Sequence, residues 1–481
     1  MEYFAPVMFI GLVAILLIGF PVVFSLSALG LFCAGVAIYF KWFPESFLLN
    51  LPLNIFGILS NELLLAIPFF TLMGAILERC GLAESLLESL TQLFRNTRGG
   101  LAYAVIVVGF ILGAITGTVA GQIIAMAMIS LPIMIHHNYN LRFATGVLAA
   151  SGTITQLIPP SLVLVILADQ LQIPVNAMYQ GAWGPSIIQM LLFLAFTFFW
   201  SLYKPQDLPI IPRTENSLQG YLLIKKCLKD IVPTSILILT VLGSMGGLPG
   251  MSFAIATPTE AGALGALGAM VLALCYKKLT IQYFKDATIT SMRLTAMVVF
   301  ILIGSRVFSL VFQGVDGNEW VEKLISEIPY GQLGFLIAAN LLVFGLSFFL
   351  DFFEIAFIVL PLLVPIAVKL DINLVWFGVM ICVTMQTSFM HPPFGFALFY
   401  LRGVTDTLFK QKIISKNISS KDMYLGAIPW LCLQLLLVVL VIVIPEIVTI
   451  FLDTEKIIDV TTIDLNTDQG GYGLPSSDPY R

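Results

Sequence analysis

The feature that most constrains this chain is a series of apolar stretches, many of about twenty residues, that follow one another from residue 4 to residue 451. An α-helix of that length crosses a hydrocarbon core of roughly 30 Å. Only 11% of the residues are charged, whereas a soluble domain carries about 25%. The sequence therefore predicts an all-α integral membrane protein embedded in a lipid bilayer, and it excludes a soluble globular fold.

Several classes of function are excluded by what the sequence lacks. The formal net charge is −4, and no run of Lys and Arg with interleaved aromatic residues indicates a nucleic-acid partner. The six cysteines stand apart from one another, so neither a zinc site nor a disulfide framework is expected. The sequence contains no P-loop and no Ser-His-acid constellation. We therefore expect neither an enzyme nor a resident cofactor.

Two pairs of apolar runs are each separated by a polar tip. Runs 101–115 and 118–135 meet at Thr116-Gly117-Thr118, and runs 333–349 and 352–368 meet near Asp351. Each pair is best explained as a re-entrant helical hairpin that enters and leaves the membrane on one side.

Two longer runs, 143–168 and 374–405, are interrupted by the double prolines Pro159-Pro160 and Pro392-Pro393. Proline has no backbone N–H and therefore frees a carbonyl within a helix. Freed backbone groups are tolerated at membrane depth only where protein or a watery cavity satisfies them. These two runs are predicted to be proline-broken helices.

Basic residues predict the orientation of the loops. Of the 24 Lys and Arg residues, 18 can be assigned to loops on one side, which the positive-inside rule makes cytoplasmic. The opposite loops and the tail are acidic or neutral, so both termini are expected outside. The first hairpin lies between Arg98 and Arg142 and the second between Glu327 and Asp371. The two hairpins are therefore predicted to open from opposite sides.

The two halves also match each other at a shift of about 233 residues. Pro132 pairs with Pro365, Ser151 with Thr384, and the first double proline with the second. An inverted-topology repeat with broken helices at a midplane site is typical of secondary transporters. The alternative is an ordinary helix bundle with proline kinks.

The repeat suggests a division of the chain into an elevator-type transport domain and a scaffold. The predicted parts are scaffold helices and an interfacial helix (1–98), the first hairpin and broken helix (99–175), scaffold helices with the cytoplasmic loop 204–229 (176–330), the second hairpin and broken helix (331–405), the last span (406–451) and an acidic tail (452–481). Within the first part, Leu86, Leu90 and Leu93 fall at helical spacing and predict an amphipathic helix along the cytoplasmic interface.

Five motifs, in their order and spacing, resemble the large membrane subunit of tripartite ATP-independent periplasmic (TRAP) transporters. They are Pro68-Phe69-Phe70-Thr71-Leu72-Met73-Gly74, Ile115-Thr116-Gly117-Thr118, Gly152-Thr153 leading to Ile158-Pro159-Pro160-Ser161, Thr257-Pro258-Thr259-Glu260-Ala261, and Pro392-Pro393-Phe394-Gly395.

The resemblance covers about residues 1–450 and implies a multi-pass protein of the bacterial inner membrane with periplasmic termini. It implies Na⁺-driven import of an organic anion of the carboxylate or oxo-acid type, with a small four-helix membrane subunit and a periplasmic substrate-binding protein as partners. The implied motion is an elevator. Two departures stand out. His391 stands where the family usually has Thr, and Thr116 and Thr118 stand where serines are common.

A hairpin tip that faces a broken helix offers unpaired carbonyls and hydroxyls, which are the hard oxygen ligands that Na⁺ prefers. The alternative is that these hydroxyls only bond carbonyls of their own helix. No metal other than sodium is expected. The predicted sodium ligands are Thr116, Gly117, Thr118, Gly152, Thr153 and Thr155 at the first site, and Leu350, Asp351, Thr384, Thr387 and Ser388 at the second.

Charged side chains in apolar runs are costly, so Arg306 and Glu354 invite a functional interpretation. A guanidinium can bind a carboxylate through two parallel hydrogen bonds, which suits an organic anion. We assign Arg306, Ser161 and Glu354 as substrate-binding candidates. The alternative for Arg306 is a structural ion pair with Asp351 or Glu354.

Two other functional interpretations remain open from the sequence. One is a tricarboxylate-type or stand-alone dicarboxylate carrier. The other is the membrane subunit of an ion-pumping enzyme complex, for which the sequence shows no cofactor motif.

Overall fold

The computed structural model describes residues 3–18, 20–116, 118–211, 221–251, 253–326, 329–348, 350–391, 395–414 and 417–452. Every regular element in these ranges is helical. The α-helices are α1 (Phe4–Ile18), α2 (Val22–Tyr39), α3 (Leu51–Leu59), α4 (Glu62–Arg79), α5 (Leu82–Leu93), α6 (Gly100–Thr116), α7 (Val119–His136), α8 (Leu141–Thr153), α9 (Leu162–Leu171), α10 (Val175–Tyr203), α11 (Tyr221–Ser244), α12 (Pro258–Cys275), α13 (Ile281–Gly314), α14 (Gly317–Ser326), α15 (Gly331–Leu346), α16 (Phe352–Glu354), α17 (Leu360–Lys369), α18 (Leu374–Gln386), α19 (Phe396–Lys410), α20 (Ser420–Val443) and α21 (Glu446–Thr449).

Eight stretches in the described part of the chain are long and apolar enough to cross a membrane, and a bent pair of helices makes up to nine. The prediction of an all-α membrane protein is confirmed. The bent pair is Glu45–Leu59 and α4, which differ in direction by 47°. Between them, Asn61 caps α4 by accepting a hydrogen bond from the Leu63 amide at 3.0 Å.

The predicted first hairpin corresponds to α6 and α7, which pack against each other. The second corresponds to α15 followed by Phe352–Lys369, a continuous span in which a π-helical turn, Ile355–Val359, joins α16 to α17. Val119–His136 and Phe352–Lys369 have the same length, and each bound of the second lies 233 residues after that of the first. The local structure thus repeats at the shift found in the sequence.

Both broken helices have the same construction. Helices α8 and α18 each have 13 residues, begin after a capping Asn (Asn140 and Asn373) and end in a three-residue 3₁₀ turn, Ile154–Gln156 and Thr387–Phe389. In the first broken helix, the residues after this turn are not helical until Ser161 caps α9. The second double proline lies in 392–394, outside the described residues. The opposite orientation of the two halves stays a prediction.

Packing divides most of the helices into two groups. Helix α4 packs on α12 and α13, and α13 packs on α2; we call these four helices the frame. The Ser291 hydroxyl of α13 donates to the carbonyl of Pro68 in α4 at 2.8 Å, so the frame also satisfies a polar group within a membrane helix.

The second group, which we call the central unit, contains the two hairpins and the two broken helices, α6–α9 and α15–α19, together with α10 and α20. Helix α20 packs extensively on α8, and α10 packs on α9 and α18. The sequence-based division placed α10 in the scaffold stretch 176–330 and α20 in the last span 406–451. Both helices lie against the broken helices.

The predicted amphipathic helix is α5. Its Leu86 and Leu90 are buried, whereas Leu93 is about half exposed. The Ser89 hydroxyl donates to Asp230 of α11 at 2.6 Å, and Glu88 pairs with Lys226 at 2.9 Å. The apolar face of α5 is therefore covered in part by protein. Its position along the cytoplasmic interface stays a prediction.

Candidate functional site

The first candidate site centres on Gln122 of α7, which is fully buried. Its Nε2 donates to the carbonyls of Gly109 at 2.7 Å and Ser151 at 2.9 Å. The Thr155 hydroxyl contacts Gln122 Oε1 and lies 2.8 Å from the Gly152 carbonyl oxygen. Helices α6 and α8 and the 3₁₀ turn after α8 thus place oxygen atoms around the side-chain amide of Gln122 on α7.

Glycine makes this convergence possible. A Cβ at position 109 would lie 2.9 Å from the Ser151 carbonyl oxygen, and a Cβ at position 152 would overlap the side chain of Ile123. Helices α6, α7 and α8 can approach this closely only where both positions lack a side chain. The glycines therefore bring the carbonyls within reach of Gln122.

Thr153 does not join this group. Its hydroxyl lies 2.9 Å from the Ala150 carbonyl oxygen and accepts a hydrogen bond from Gln434 of α20 at 2.8 Å. Residues 153 and 155 are two positions apart on a helical turn, so their side chains point to different neighbours. Of the predicted ligands, Gly152 and Thr155 meet at the first site, whereas Thr153 contacts α20.

The hairpin tip is described only in part. Thr118 is the residue that precedes α7; it is half-buried and makes no side-chain cap bond in the described part of the chain. Gly117 and the side chain of Thr116 lie outside the described residues. The predicted contribution of these three residues stays a prediction.

The second candidate site centres on Asn340 of α15, which contacts the Thr384 hydroxyl of α18 through Oδ1. Asn340 Nδ2 donates to the Leu336 carbonyl at 2.7 Å and lies 3.1 Å from the Met380 sulfur. Each site thus contains one of these side-chain amides. Gln122 lies on the second arm of the first hairpin, and Asn340 lies on the first arm of the second hairpin.

Thr387 and Ser388 lie on the 3₁₀ turn that directly follows α18. The Thr387 hydroxyl donates to the Thr384 carbonyl at 2.6 Å. The Ser388 hydroxyl is buried and has no hydrogen-bond partner among the described residues. A buried hydroxyl without a partner is a candidate ligand, because a bound cation would supply the missing interaction.

The predicted alternative, hydroxyls that bond their own helix, is also present. Thr155, Thr384 and Thr387 each lie within hydrogen-bond distance of a carbonyl three or four residues earlier. A hydroxyl that donates its hydrogen to a carbonyl still has oxygen lone pairs that can coordinate a cation. Both interpretations are therefore compatible with the same geometry.

The tip of the second hairpin carries two carboxylates. Asp351 and Glu354 form a capping box, in which Asp351 Oδ1 accepts from the Glu354 amide at 2.9 Å and Glu354 Oε2 accepts from the Asp351 amide at 3.0 Å. Leu350 is buried next to them. The capping box fixes the orientation of both side chains at the tip.

His391 lies between this hairpin and the second break. Its ring stacks on Phe348 with centroids 4.3 Å apart and meets Phe344 edge-on at 4.4 Å. Nδ1 is 3.4 Å from the Ser347 hydroxyl, and buried Nε2 has no partner in the ranges described. His391 therefore attaches the broken helix to the end of α15.

Arg306 of α13 is exposed and forms no ion pair with either carboxylate of the hairpin tip. The structural pair considered from the sequence is not observed in the described part of the chain. Arg306 instead lines a cavity of about 150 Å³ between the frame and the central unit. Its polar lining residues are Gln170, Gln172, Ser305, Arg306, Ser309 and Gln313.

The other two predicted substrate residues lie elsewhere. Ser161 caps α9 by accepting from the Val163 amide at 3.1 Å, and its hydroxyl donates to the Gln156 carbonyl at 2.6 Å. Glu354 belongs to the capping box. The cavity that Arg306 lines includes neither Ser161 nor Glu354.

Sequence reasoning missed the two amides at the centres of the sites. The available signal was a lone amide in an apolar run: Gln122 is the one amide residue of α7, and Asn340 interrupts a run of apolar residues and glycines from Leu333 to Leu346 in α15. Polar groups inside a membrane helix are costly and commonly mark a function.

Comparison with known proteins adds independent information. Residues 9–447 match the family model described as the tripartite ATP-independent periplasmic transporter, DctM component. The chain is 26% identical over 400 residues to the C4-dicarboxylate TRAP transporter large permease protein DctM of Pseudomonas aeruginosa, covering 83% of this chain and 88% of that protein.

Other similar proteins carry different substrate names. The sialic acid TRAP transporter large permease protein SiaM of Vibrio cholerae is 26% identical over 83% of this chain and 89% of its own length. The isethionate TRAP transporter permease protein DctMQ of Oleidesulfovibrio alaskensis is 24% identical over 84% of this chain and 61% of its own length. Among solved structures, the YdaH transporter of Alcanivorax borkumensis shares the fold, with a TM-score of 0.55, 13% identity, and coverage of 82% of this chain and 87% of that one.

Proposed function

This chain belongs to the DctM family and is a large membrane subunit of a tripartite ATP-independent periplasmic transporter, and from that premise we propose that it couples import of an organic anion to Na⁺. The relatives are permeases and not enzymes. The observation that carries the sodium proposal is the pair of sites at which a hairpin amide, hydroxyls and carbonyls of a broken helix converge.

The chemistry of both sites suits a hard cation. Neutral amide, hydroxyl and carbonyl oxygens can replace the hydration shell of Na⁺ without leaving a buried charge unpaired. The proposed ligands are Gln122, Thr155 and the Gly152 carbonyl at the first site, and Asn340, Thr384, Thr387 and Ser388 at the second. Asp351 lies at the tip beside the second site and adds negative charge.

For the substrate, we propose that the cavity at Arg306 receives an acidic group. The guanidinium is not paired with a carboxylate in the described structure, and the neighbouring Gln and Ser side chains can donate further hydrogen bonds. Three similar proteins are named for C4-dicarboxylate, sialic acid and isethionate. A carboxylate or a related oxo acid fits both observations.

The proposed motion is a displacement of the central unit against the frame. Among the described residues, two hydrogen bonds join the two groups: Asn61, the cap of α4, donates to Asp169 of α9 at 2.6 Å, and Ser305 of α13 donates to the Phe357 carbonyl. Gln180 and Trp183 of α10 also donate to carbonyls of the connection between α11 and α12. Glu78 of α4 also lies against Gly121, near the first hairpin tip. An elevator motion would break these contacts and leave the packing within each group intact.

The proposed partners are a small membrane subunit and a periplasmic substrate-binding protein, and the proposed location is the bacterial inner membrane with periplasmic termini. The test is uptake into proteoliposomes that contain both membrane subunits. With the loaded binding protein outside, an inward Na⁺ gradient should drive uptake, and ATP should have no effect.

Three outcomes distinguish the alternatives. Equal uptake when choline replaces Na⁺ would contradict the sodium coupling. Full uptake without the binding protein would indicate a stand-alone carrier. Uptake that requires a decarboxylase or redox partner would indicate the ion-pumping complex.

A further inference from the structure

The helices that follow the two broken helices each carry a buried glutamine that contacts one of the half-helices. Gln189 of α10 accepts a hydrogen bond from Gln386 Nε2 at 3.0 Å. Gln434 of α20 donates through Nε2 to the Thr153 hydroxyl at 2.8 Å. All four side chains are fully buried. These are side-chain contacts between helices at membrane depth, where apolar packing alone needs no polar atoms.

The two contacts are reciprocal. Thr153 and Gln386 are equivalent in the repeat, since each is the last residue of a 13-residue half-helix and they lie 233 positions apart. Gln189 lies on the helix that follows the first broken helix, yet it contacts the second. Gln434 lies on the helix that follows the second broken helix, yet it contacts the first. Each half of the repeat therefore holds the broken helix of the other half.

A second set of contacts lies on the same faces. The Ser186 hydroxyl, one turn before Gln189, lies 3.1 Å from the Leu157 carbonyl oxygen of the first break and 2.7 Å from the Ala182 carbonyl oxygen of its own helix. Trp376 of α18 donates to the Val441 carbonyl of α20 at 2.8 Å. Helix α10 thus contacts both breaks, and α20 contacts both half-helices.

Close packing accompanies these bonds. A Cβ at Gly146 of α8 would overlap the carbonyl of Gly426 in α20, and a Cβ at Gly181 of α10 would lie 2.9 Å from the Val375 side chain of α18. Helices in such close contact move together more readily than they slide, because any displacement meets backbone atoms.

The arrangement also carries a cost. Gln189 Nε2, Gln386 Oε1 and Gln434 Oε1 are buried and have no hydrogen-bond partner among the residues that the structure describes. An apolar side chain of similar size would pack there without that cost. Stability alone therefore does not explain glutamine at these positions.

We propose that Gln189 and Gln434 are positioning residues that keep the two broken helices, and with them the two candidate ion sites, in register with each other. The proposal rests on the proposed sodium-coupled transport. Each glutamine acts one residue away from a candidate ligand, because Thr153 follows Gly152 and Gln386 precedes Thr387. Losing either contact shifts the oxygen atoms of one site.

The first test measures uptake against Na⁺ concentration for Gln189→Leu and Gln434→Leu in the complete reconstituted system. Loss of one hydrogen bond that acts on ion binding should raise the half-saturating Na⁺ concentration about two- to tenfold. The matched control is Thr197→Val on α10, whose buried hydroxyl bonds only the Phe193 carbonyl of its own helix in the described structure. It should leave the sodium curve unchanged.

A double substitution separates positioning from general damage. If Gln434 acts through Thr153, then Gln434→Leu combined with Thr153→Val should shift the sodium curve no further than the larger single shift. Additive shifts would contradict the reciprocal contact. The proposal would be overturned if the sodium curves of both Leu variants coincided with that of Thr197→Val. Uptake by the wild type that does not depend on Na⁺ would overturn the proposed function instead.

Discussion

Gln122→Leu tests the first ion site most sharply, because one side chain joins α6, α8 and the 3₁₀ turn. The substitution keeps a similar volume and removes two donated bonds, to the Gly109 and Ser151 carbonyls. We count only the net value of each lost bond, about 0.5–1.5 kcal/mol. The total is about 1–3 kcal/mol.

If that loss falls on the ion-bound state, the half-saturating Na⁺ concentration should rise about 5- to 150-fold, since about 1.4 kcal/mol corresponds to a factor of ten. The assay is initial uptake against Na⁺ concentration in proteoliposomes, with thermal unfolding in the presence and absence of Na⁺ as a check on folding. The variant should also lose part of the stabilisation that Na⁺ gives to the wild type.

The matched control is Gln282→Leu, because Gln282 is exposed on α13 and bonds Asp286 at 2.9 Å on its own helix. A sodium curve for Gln122→Leu that overlays those of Gln282→Leu and the wild type would refute the assignment of Gln122 to an ion site.

Three further substitutions test other parts of the molecule. Asp351→Asn keeps the cap of α16 but removes a negative charge near the second site, so the half-saturating Na⁺ concentration should rise; an unaltered curve would reduce Asp351 to a structural role. Arg306→Lys keeps the positive charge but loses bidentate binding, so the KM for the anion should rise at least several-fold while the sodium dependence stays the same; an unchanged KM would remove Arg306 from the substrate path. Glu88→Cys on the exposed face of α5 should react with a membrane-impermeant maleimide from the cytoplasm only, and labelling from the periplasm would overturn the predicted orientation.

The parts of the fold that could be predicted from the sequence depend on local chemistry. Proline cannot donate a backbone hydrogen bond, and a polar segment between two apolar runs cannot face lipid. The proline breaks and the paired helices could therefore be predicted without tertiary information. The repeat was readable because the capping residues Asn140 and Asn373 recur in register with the prolines.

The candidate sites could be predicted only in part, because their geometry depends on contacts between distant segments. Thr153 and Thr155 looked equivalent in the sequence, yet one contacts α20 and the other contacts α7. Gln122 and Asn340 were missed because a single amide gives no local pattern. The ion pair considered as an alternative for Arg306 is not observed among the described residues for a similar reason: Asp351 and Glu354 accept hydrogen bonds from backbone amides in a capping box.

The packing of α10 and α20 was not predictable either. Each follows a broken helix in the chain, and nothing in its own apolar pattern indicates that it lies against the broken helix of the other half. Only the three-dimensional arrangement shows that both helices belong to the central unit.

The most direct test of the account is a simultaneous measurement of sodium and substrate entry in the same vesicles. With labelled Na⁺ and labelled anion outside, together with the loaded binding protein, both labels should enter in a fixed ratio, and omitting the anion should abolish the transporter-dependent Na⁺ entry. Substitution of Gln122 or Asp351 should lower both fluxes together at limiting Na⁺. Substrate that accumulates without any accompanying Na⁺ entry would contradict the account.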